Sequence, residues 1–176
     1  MKALVFIFLL MTTSLFSQDW FKSQVGTGPG NCGPACVAMS IEYSTGEIVS
    51  VEDIRNEIGY TRKNGATDFE ELTAVLDSHN IEYNLLDSYK LAFNLNRIYI
   101  LLVDTIYITT KPYNYNGRHY IILNGIDGFY YKVQDPLTKN EVKYKIMDIR
   151  RALKGYPIIE VIGENRTHTQ GRAFVF

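Results

Sequence analysis

The chain has 176 residues, with 18 lysine and arginine side chains against 19 aspartate and glutamate side chains, which gives a formal net charge of −1. A charge this close to neutral produces no field that would attract nucleic acid or an anionic membrane, so we expect neither as a partner. The length suits one domain with a single core and is too short for two.

The N-terminal segment MKALVFIFLLMTTSLFS predicts a secretory signal peptide over residues 1–17, cleaved after Ser17. It has one basic residue, Lys2, followed by an apolar run over 3–11 and then polar residues. The apolar run is far shorter than the roughly 20 residues that a membrane-spanning helix needs. An uncleaved anchor is the alternative. We expect an exported protein, secreted, periplasmic or at the cell surface, with no membrane span after cleavage.

Residues 18–163 are the predicted domain, and its first half has helical periodicity. The first helix is predicted over 32–43, largely buried, with Asn31 as its N-cap and a stop near Gly46.

Two further helices are predicted from capping patterns. Ser50 and Asp53 have the spacing of a capping box at the start of a helix over 51–58. We assign the capping pair of the third helix, which ends near residue 80, to Thr67 and Glu70.

The second half of the domain is rich in β-branched and aromatic segments bounded by glycine, proline and asparagine, which predict strands. The predicted strands are 99–108, 119–126, 129–135, 141–144 and 158–162, and a helical patch over 146–153 interrupts them. Helices first and strands afterward predict an α+β fold in which N-terminal helices pack on an antiparallel β-sheet. The tail 164–176 has no clear period.

Cys32 opens the first helix within PGNCGPAC. Unpaired N–H groups and the helix dipole favour a thiolate at that position, and a reactive thiolate needs a base. His119 is the candidate because it opens the apolar strand HYIILNGID, whereas His79 and His168 are predicted to be solvated surface residues. Arg118 and the neighbouring loop 111–117 are placed where they could touch a substrate, but a solvated loop is the favoured interpretation.

The hairpin that follows His119 decides whether Asp135 can orient it. A three-residue loop over 126–128 pairs His119 with Asp135, so that the carboxylate faces the imidazole. A two-residue loop pairs Tyr120 with Asp135 instead, so the orienting role requires the longer loop or a bulge. Asn124 competes for this role but has the opposite parity and should face away.

Other interpretations of these residues stay open. Two cysteines in an exported chain make a disulfide the default, yet Cys32 and Cys36 on one helix have poor geometry for it, which leaves Cys36 as a buried apolar residue. Zinc bound by both cysteines, His119 and Asp135 is disfavoured because C-x-x-x-C on a helix is not the usual turn-borne pair. We expect no metal and no cofactor. The plainest alternative for Asp135 is that Asp-Pro begins a turn.

Together, NCGPACVAM, RHYIILNGID and VQDP resemble the papain-like cysteine peptidases related to bacteriocin leader-processing domains, the double-glycine-leader group. The resemblance spans about residues 24–162 and implies that Cys32 is the nucleophile, His119 the general base and acid, and Asp135 the orienting residue. The family places an oxyanion-hole glutamine about six residues before the cysteine, where this chain has Gly26. Gln24 is the remaining candidate for that donor.

We therefore expect a secreted cysteine peptidase or amide hydrolase that acts on a peptide or protein through a thioester intermediate. The alternative is a catalytically idle peptide-binding module of the same fold. A third hypothesis, an exported thiol-disulfide protein, predicts that Cys36 matters as much as Cys32.

Overall fold

A computed structural model describes residues 20–24, 30–59, 67–88, 92–94 and 96–163. The predicted signal peptide and the tail lie outside these residues. Within them, no helix has the length and apolar character needed to cross a membrane. The helices and strands follow in the order α1 (Cys32–Thr45), α2 (Val51–Glu57), α3 (Phe69–Ser78), β1 (Tyr83–Leu86), β2 (Ile98–Asp104), β3 (Arg118–Asp127), β4 (Tyr130–Gln134), β5 (Val142–Lys145), α4 (Ile146–Ala152) and β6 (Ile158–Val161).

The six strands form one sheet in the order β1-β6-β2-β3-β4-β5, and each neighbouring pair is antiparallel. Alternate residues of the central strands face opposite sides of it. Ile100 and Ile122 pack against the N-terminal helices, whereas Leu101 and Ile121 pack in a second core with Ile149 of α4. The predicted α+β fold, with N-terminal helices on an antiparallel sheet, is therefore confirmed.

Helix α1 is the most buried helix of this core, as predicted. Ala35, Cys36, Val37 and Met39 are fully buried, because the helix lies between the sheet and the other two N-terminal helices. Gly46 ends it in the left-handed conformation, at φ 76°, and donates its N–H to the Glu42 carbonyl. A rigid, buried helix thus fixes the position of Cys32 at its first residue.

The two predicted capping boxes have different outcomes. At α2, the Asp53 N–H donates to Ser50 Oγ at 3.0 Å and the Ser50 N–H returns to Asp53 Oδ2 at 3.2 Å, as predicted. At α3 the prediction was wrong by one residue, because Asp68 is the N-cap and its N–H donates to Glu71 Oε2 at 2.7 Å. Asp68 and Glu71 have the same spacing as the predicted pair, and tertiary packing buries Thr67 instead.

Two strand predictions needed correction. The predicted strand 99–108 ends at Asp104, whose Oδ1 accepts the Ile106 N–H at 3.2 Å and begins a 3₁₀ turn at Thr105–Tyr107. Strand β1 was missed. It is a four-residue edge strand with two exposed residues, so its sequence carries little apolar pattern, and its pairing with β6 defines it.

Candidate active site

Cys32 lies at the N-terminus of α1, where the residue is partly exposed and its thiol is hydrogen-bonded to His119 on strand β3. Burial alone would raise the pKa of the Cys32 thiol. The hydrogen bond and positive charge of His119 outweigh it, with help from the backbone N–H groups of Tyr120 and Gly33, so the pKa is lowered. The site therefore favours a thiolate.

His119 is 1% exposed and bridges the thiol and a carboxylate. Its Nε2 lies 2.7 Å from Asp135 Oδ1, which leaves Nδ1 for the hydrogen bond with Cys32. Burial acts to lower the pKa of the imidazole, but the hydrogen bonds to Asp135 and Cys32, with their charges, raise it to about 9. An imidazolium beside a thiolate is the protonation state that these interactions favour near neutral pH.

Asp135 is fully buried and accepts four hydrogen bonds. Its Oδ1 accepts from His119 and from the Leu137 N–H at 2.9 Å, and its Oδ2 accepts from the hydroxyls of Tyr113 at 2.8 Å and Tyr144 at 2.6 Å. Burial would raise the pKa of the carboxyl, but the bonds to His119 and Tyr144 outweigh it and lower the pKa. Asp135 is thus held as an anion with both oxygens occupied.

The hairpin loop differs from the predicted one. Asp127 pairs with Tyr130, so the loop consists of two residues, Gly128 and Phe129, and not of residues 126–128. Gly128 has a φ of 59° at the first loop position, where a type II′ turn requires glycine, and the twist of that turn matches the strands. The loop alone would therefore have turned Asp135 away from His119.

A β-bulge in β3 turns Asp135 back toward His119. Asn124 is the extra residue between the pairs Leu123 to Val133 and Gly125 to Lys132, and it shifts the register by one. As a result Asp135 lies on the same face as His119, diagonally and not directly opposite as predicted. The requirement for a longer loop or a bulge is met by the bulge.

Two tyrosines that the sequence analysis left in a solvated loop contact the imidazole. The ring of Tyr113 lies edge-on to His119 at a centroid distance of 6.1 Å, and that of Tyr115 at 6.3 Å. Tyr113 is half-buried and Tyr115 is 48% exposed, so the interpretation of this segment as solvated is wrong for Tyr113. Their only sequence signal is their position, because both lie in the short segment KPYNYNGR that precedes the candidate histidine.

Gln24 is 9% exposed, and its backbone N–H donates to the Pro136 carbonyl at 2.9 Å. Ser23 Oγ donates to the same oxygen at 3.2 Å. The segment before α1 is thereby tied to the turn that follows Asp135, and Gln24 lies inside the protein and not in solvent.

The remaining candidates lie apart from this cluster. Cys36 is fully buried and its thiol is free, so no disulfide joins the described residues Cys32 and Cys36. Burial holds the pKa of the Cys36 thiol well above the ordinary value, which agrees with the predicted role as a buried apolar residue. Asn124 bonds Glu141 at 3.0 Å. His79 pairs with Glu57 at 3.1 Å at the surface, and His168 lies outside the described residues. The described residues contain no group of three or more side chains arranged to hold a metal.

A thiol at a helix N-terminus, paired with an imidazole on an antiparallel sheet, defines a cysteine peptidase of papain-like fold. The model of the peptidase C39 family matches residues 23–161, so the chain belongs to that family and is a cysteine-type peptidase. No curated protein matches the chain.

Solved structures share the fold at low identity. One is a double glycine motif protease from an AMS/PCAT transporter, in complex with its leader peptide, at 22% identity and a TM-score of 0.57, covering 74% of this chain and 84% of that one. The peptidase domain of Streptococcus ComA, a bifunctional ABC transporter of a quorum sensing pathway, has 13% identity and a TM-score of 0.59 over 80% and 96%. A C39-like peptidase from Bacillus anthracis has 16% identity and a TM-score of 0.60 over 83% and 95%.

Proposed function

We propose that the chain hydrolyses peptide or amide bonds with Cys32 as nucleophile, His119 as general acid and base, and Asp135 as the residue that orients His119. One observation carries the proposal: the thiol, the imidazole and the carboxylate form a continuous chain of hydrogen bonds in which Nε2 of His119 is held at 2.7 Å by Asp135. In this order each group fixes the protonation state of the next.

The chemistry follows from these positions. The Cys32 thiolate attacks the carbonyl carbon, an S–C bond forms, and the carbonyl oxygen becomes an oxyanion. As the C–N bond breaks, the imidazolium of His119 gives its proton to the leaving nitrogen, which leaves a thioester. His119 then takes a proton from water, the hydroxide attacks the thioester, and the C–S bond breaks to release the acid and restore the thiolate.

The oxyanion needs donors in the protein. The backbone N–H of Cys32 is one, because the first N–H groups of a helix have no partner within the helix. Gln24 is the proposed second donor, and the burial of its segment against the turn after Asp135 supports that role.

The substrate class proposed is a peptide or protein segment. The family supports it, and a protein of the same fold binds a leader peptide. Cys32 is a partly exposed residue, which supports access of an extended chain to this end of α1.

Export is a further part of the proposal and rests on the N-terminal sequence alone. N-terminal sequencing of the exported protein, expressed with all 176 residues, is expected to find Gln18 first. A product that retains Met1 would contradict cleavage.

The test of the site is the pH dependence of iodoacetamide labelling, with Cys32 and Cys36 distinguished by peptide mass spectrometry. Wild type is compared with Cys32→Ala, Cys36→Ala and His119→Ala, and His79→Ala is the matched control for removal of a histidine. We expect fast labelling of Cys32 well below the ordinary thiol pKa, weakened by His119→Ala and unchanged by His79→Ala. A Cys32 that titrates as an ordinary thiol removes the nucleophile and favours the peptide-binding module.

A further inference from the structure

We infer that Tyr113 and Tyr144 are positioning residues of this site, whose hydroxyl groups hold the Asp135 carboxylate in the orientation that presents Oδ1 to His119. The inference deepens the proposed function and rests on it. The segments NCGPACVAM, RHYIILNGID and VQDP, which carry the resemblance, contain neither tyrosine.

The two oxygens of the Asp135 carboxylate have different hydrogen-bond partners. Oδ2 accepts both tyrosine hydroxyls, at 2.8 and 2.6 Å, whereas Oδ1 accepts His119 and the Leu137 N–H. An ionised carboxylate has about four acceptor sites, so all of them are occupied. Rotation of the carboxylate would break these bonds together, which makes the observed orientation the stable one.

The strand ladder does not supply this orientation by itself. Asp135 lies one residue beyond the end of β4, and the last paired residue before it is Gln134, opposite Ile122. Backbone pairing in the sheet therefore brings Asp135 to the correct face but leaves the carboxylate to be fixed by the Leu137 N–H and by side chains. Tyr144 reaches it from β5, and Tyr113 from the segment that follows β2.

Tyr113 also contacts the histidine that Asp135 orients. Its ring lies edge-on to His119, at an interplanar angle of 77°, while its hydroxyl binds Asp135. One side chain therefore fixes the imidazole and the carboxylate relative to each other.

Both tyrosines remain donors over the working range of the site. Burial, together with the negative charge of Asp135, raises the pKa of Tyr113 and of Tyr144 far above the ordinary value. Neither hydroxyl ionises near neutral pH, so the carboxylate keeps two neutral donors whatever the state of Cys32 and His119.

Removal of one hydroxyl should raise the proton affinity of Asp135, because a buried carboxylate depends on its donors. The carboxylate is then protonated at a higher pH, the imidazolium loses its anionic partner, and the thiolate that the imidazolium stabilises is protonated at a higher pH as well. A role in stability alone would lower the melting temperature without moving this transition.

The experiment measures iodoacetamide labelling of Cys32 against pH in wild type, Tyr113→Phe and Tyr144→Phe. The matched control is Tyr99→Phe. It removes the hydroxyl of a fully buried tyrosine that also donates to a carboxylate, Glu160, at 3.1 Å on a different part of the sheet. In both test variants we expect the acid limb of the labelling-rate profile to move up by about one pH unit, which corresponds to a tenfold lower labelling rate at pH values below the limb. The profile of Tyr99→Phe should not move.

The outcomes separate the two proposals. If Cys32 of wild type shows no low-pH labelling, the proposed function itself fails. If wild type labels as expected while both variants keep its acid limb, or move it down, the positioning role alone is overturned. Tyr113→Phe decides the matter where the more deeply buried Tyr144→Phe does not fold.

Discussion

His119 and Asp135 are hydrogen-bonded at 2.7 Å although the two residues are not cross-strand partners. The ladder between their strands ends with Ile122 opposite Gln134, and Asp135 follows one residue later. If Asn124 were paired as an ordinary residue of the ladder and not accommodated as a bulge, Ile122 would pair with Asp135 and the carboxylate would face the other side of the sheet. The bulge therefore decides whether this imidazole has an orienting anion.

Asp135→Asn removes the charge of the carboxylate while keeping its size. We expect peptidase activity to fall by about 10³ to 10⁴-fold, because the imidazole loses the anion that fixes its tautomer and stabilises its charged form. Labelling of Cys32 should shift toward the pH of an ordinary thiol. The control is Glu160→Gln, which removes a buried carboxylate bound to Arg97 and Tyr99. It is expected to alter stability and leave labelling unchanged, and an equal loss of labelling in both variants would contradict the prediction.

The thiol and the imidazole make opposite contributions to the pH dependence of stability. The pKa of His119 is raised to about 9, so its stabilisation is complete below the unfolded value of about 6.5 and is lost as pH rises to about 9. The pKa of Cys32 is lowered, so its stabilisation is complete above the unfolded value and is lost as pH falls.

In wild type these two contributions cancel between about pH 6.5 and 9, because the folded ion pair and the unfolded neutral pair hold the same number of protons. We expect a flat free energy of unfolding in that window and a decrease below it. In Cys32→Ala only the contribution of His119 remains, supported by Asp135, so stability should fall as pH rises from about 6.5. Urea denaturation at several pH values measures both, and parallel curves for the two proteins would refute the ion pair.

Local sequence patterns predicted the elements that they alone determine. The capping box at Ser50 and the glycine stop at Gly46 depend on residues a few positions apart, and both are confirmed. Burial in tertiary contacts decided between Thr67 and Asp68 at the start of α3, and no local pattern contained that information.

The residues of the candidate site divide in the same way, into those with a local sequence pattern and those without one. Cys32, His119 and Asp135 could be selected as candidates because each has a recognisable neighbourhood, a helix start, a strand start and an Asp-Pro turn. Tyr113 and Tyr144 could not, because they meet Asp135 from separate elements and because tyrosines occur in five of the six described strands. Contacts made by residues without a local pattern require the register of the sheet to be known.

Gly33 is confined at the start of α1, directly after Cys32. A Cβ at this position would lie 3.0 Å from Leu72 Cδ2 and 3.1 Å from Thr67 Cβ, both buried. We expect Gly33→Ala to lower the free energy of unfolding by about 1 to 2 kcal/mol through overpacking. Gly125→Ala is the control, because its Cβ would meet only the flexible Lys132 side chain, at 3.0 Å from Cδ. Chemical denaturation compares the two variants. A loss of unfolding free energy in Gly33→Ala that is equal to or smaller than that in Gly125→Ala would show that the start of α1 can shift to accommodate the added methyl group.

Thr105 anchors the segment that carries Tyr113 and Tyr115 to the end of β2. Its buried Oγ1 accepts the Gly117 N–H at 3.0 Å and lies 3.0 Å from the Tyr115 carbonyl oxygen, to which it can donate. Thr105→Val leaves these backbone groups without that partner, so we expect a loss of about 1 to 3 kcal/mol in the free energy of unfolding.

The matched control for Thr105→Val is Thr67→Val. Thr67 is also buried, but its Oγ1 has no hydrogen-bond partner within the part of the chain that the structure describes. Because no bond is lost and a polar atom is removed from the interior, this variant should be as stable as wild type or slightly more so. Thermal and urea denaturation of both variants check the pair. Equal losses would mean that the hydrogen bonds of the Thr105 hydroxyl add nothing to the free energy of unfolding, and that other contacts hold the segment beside His119.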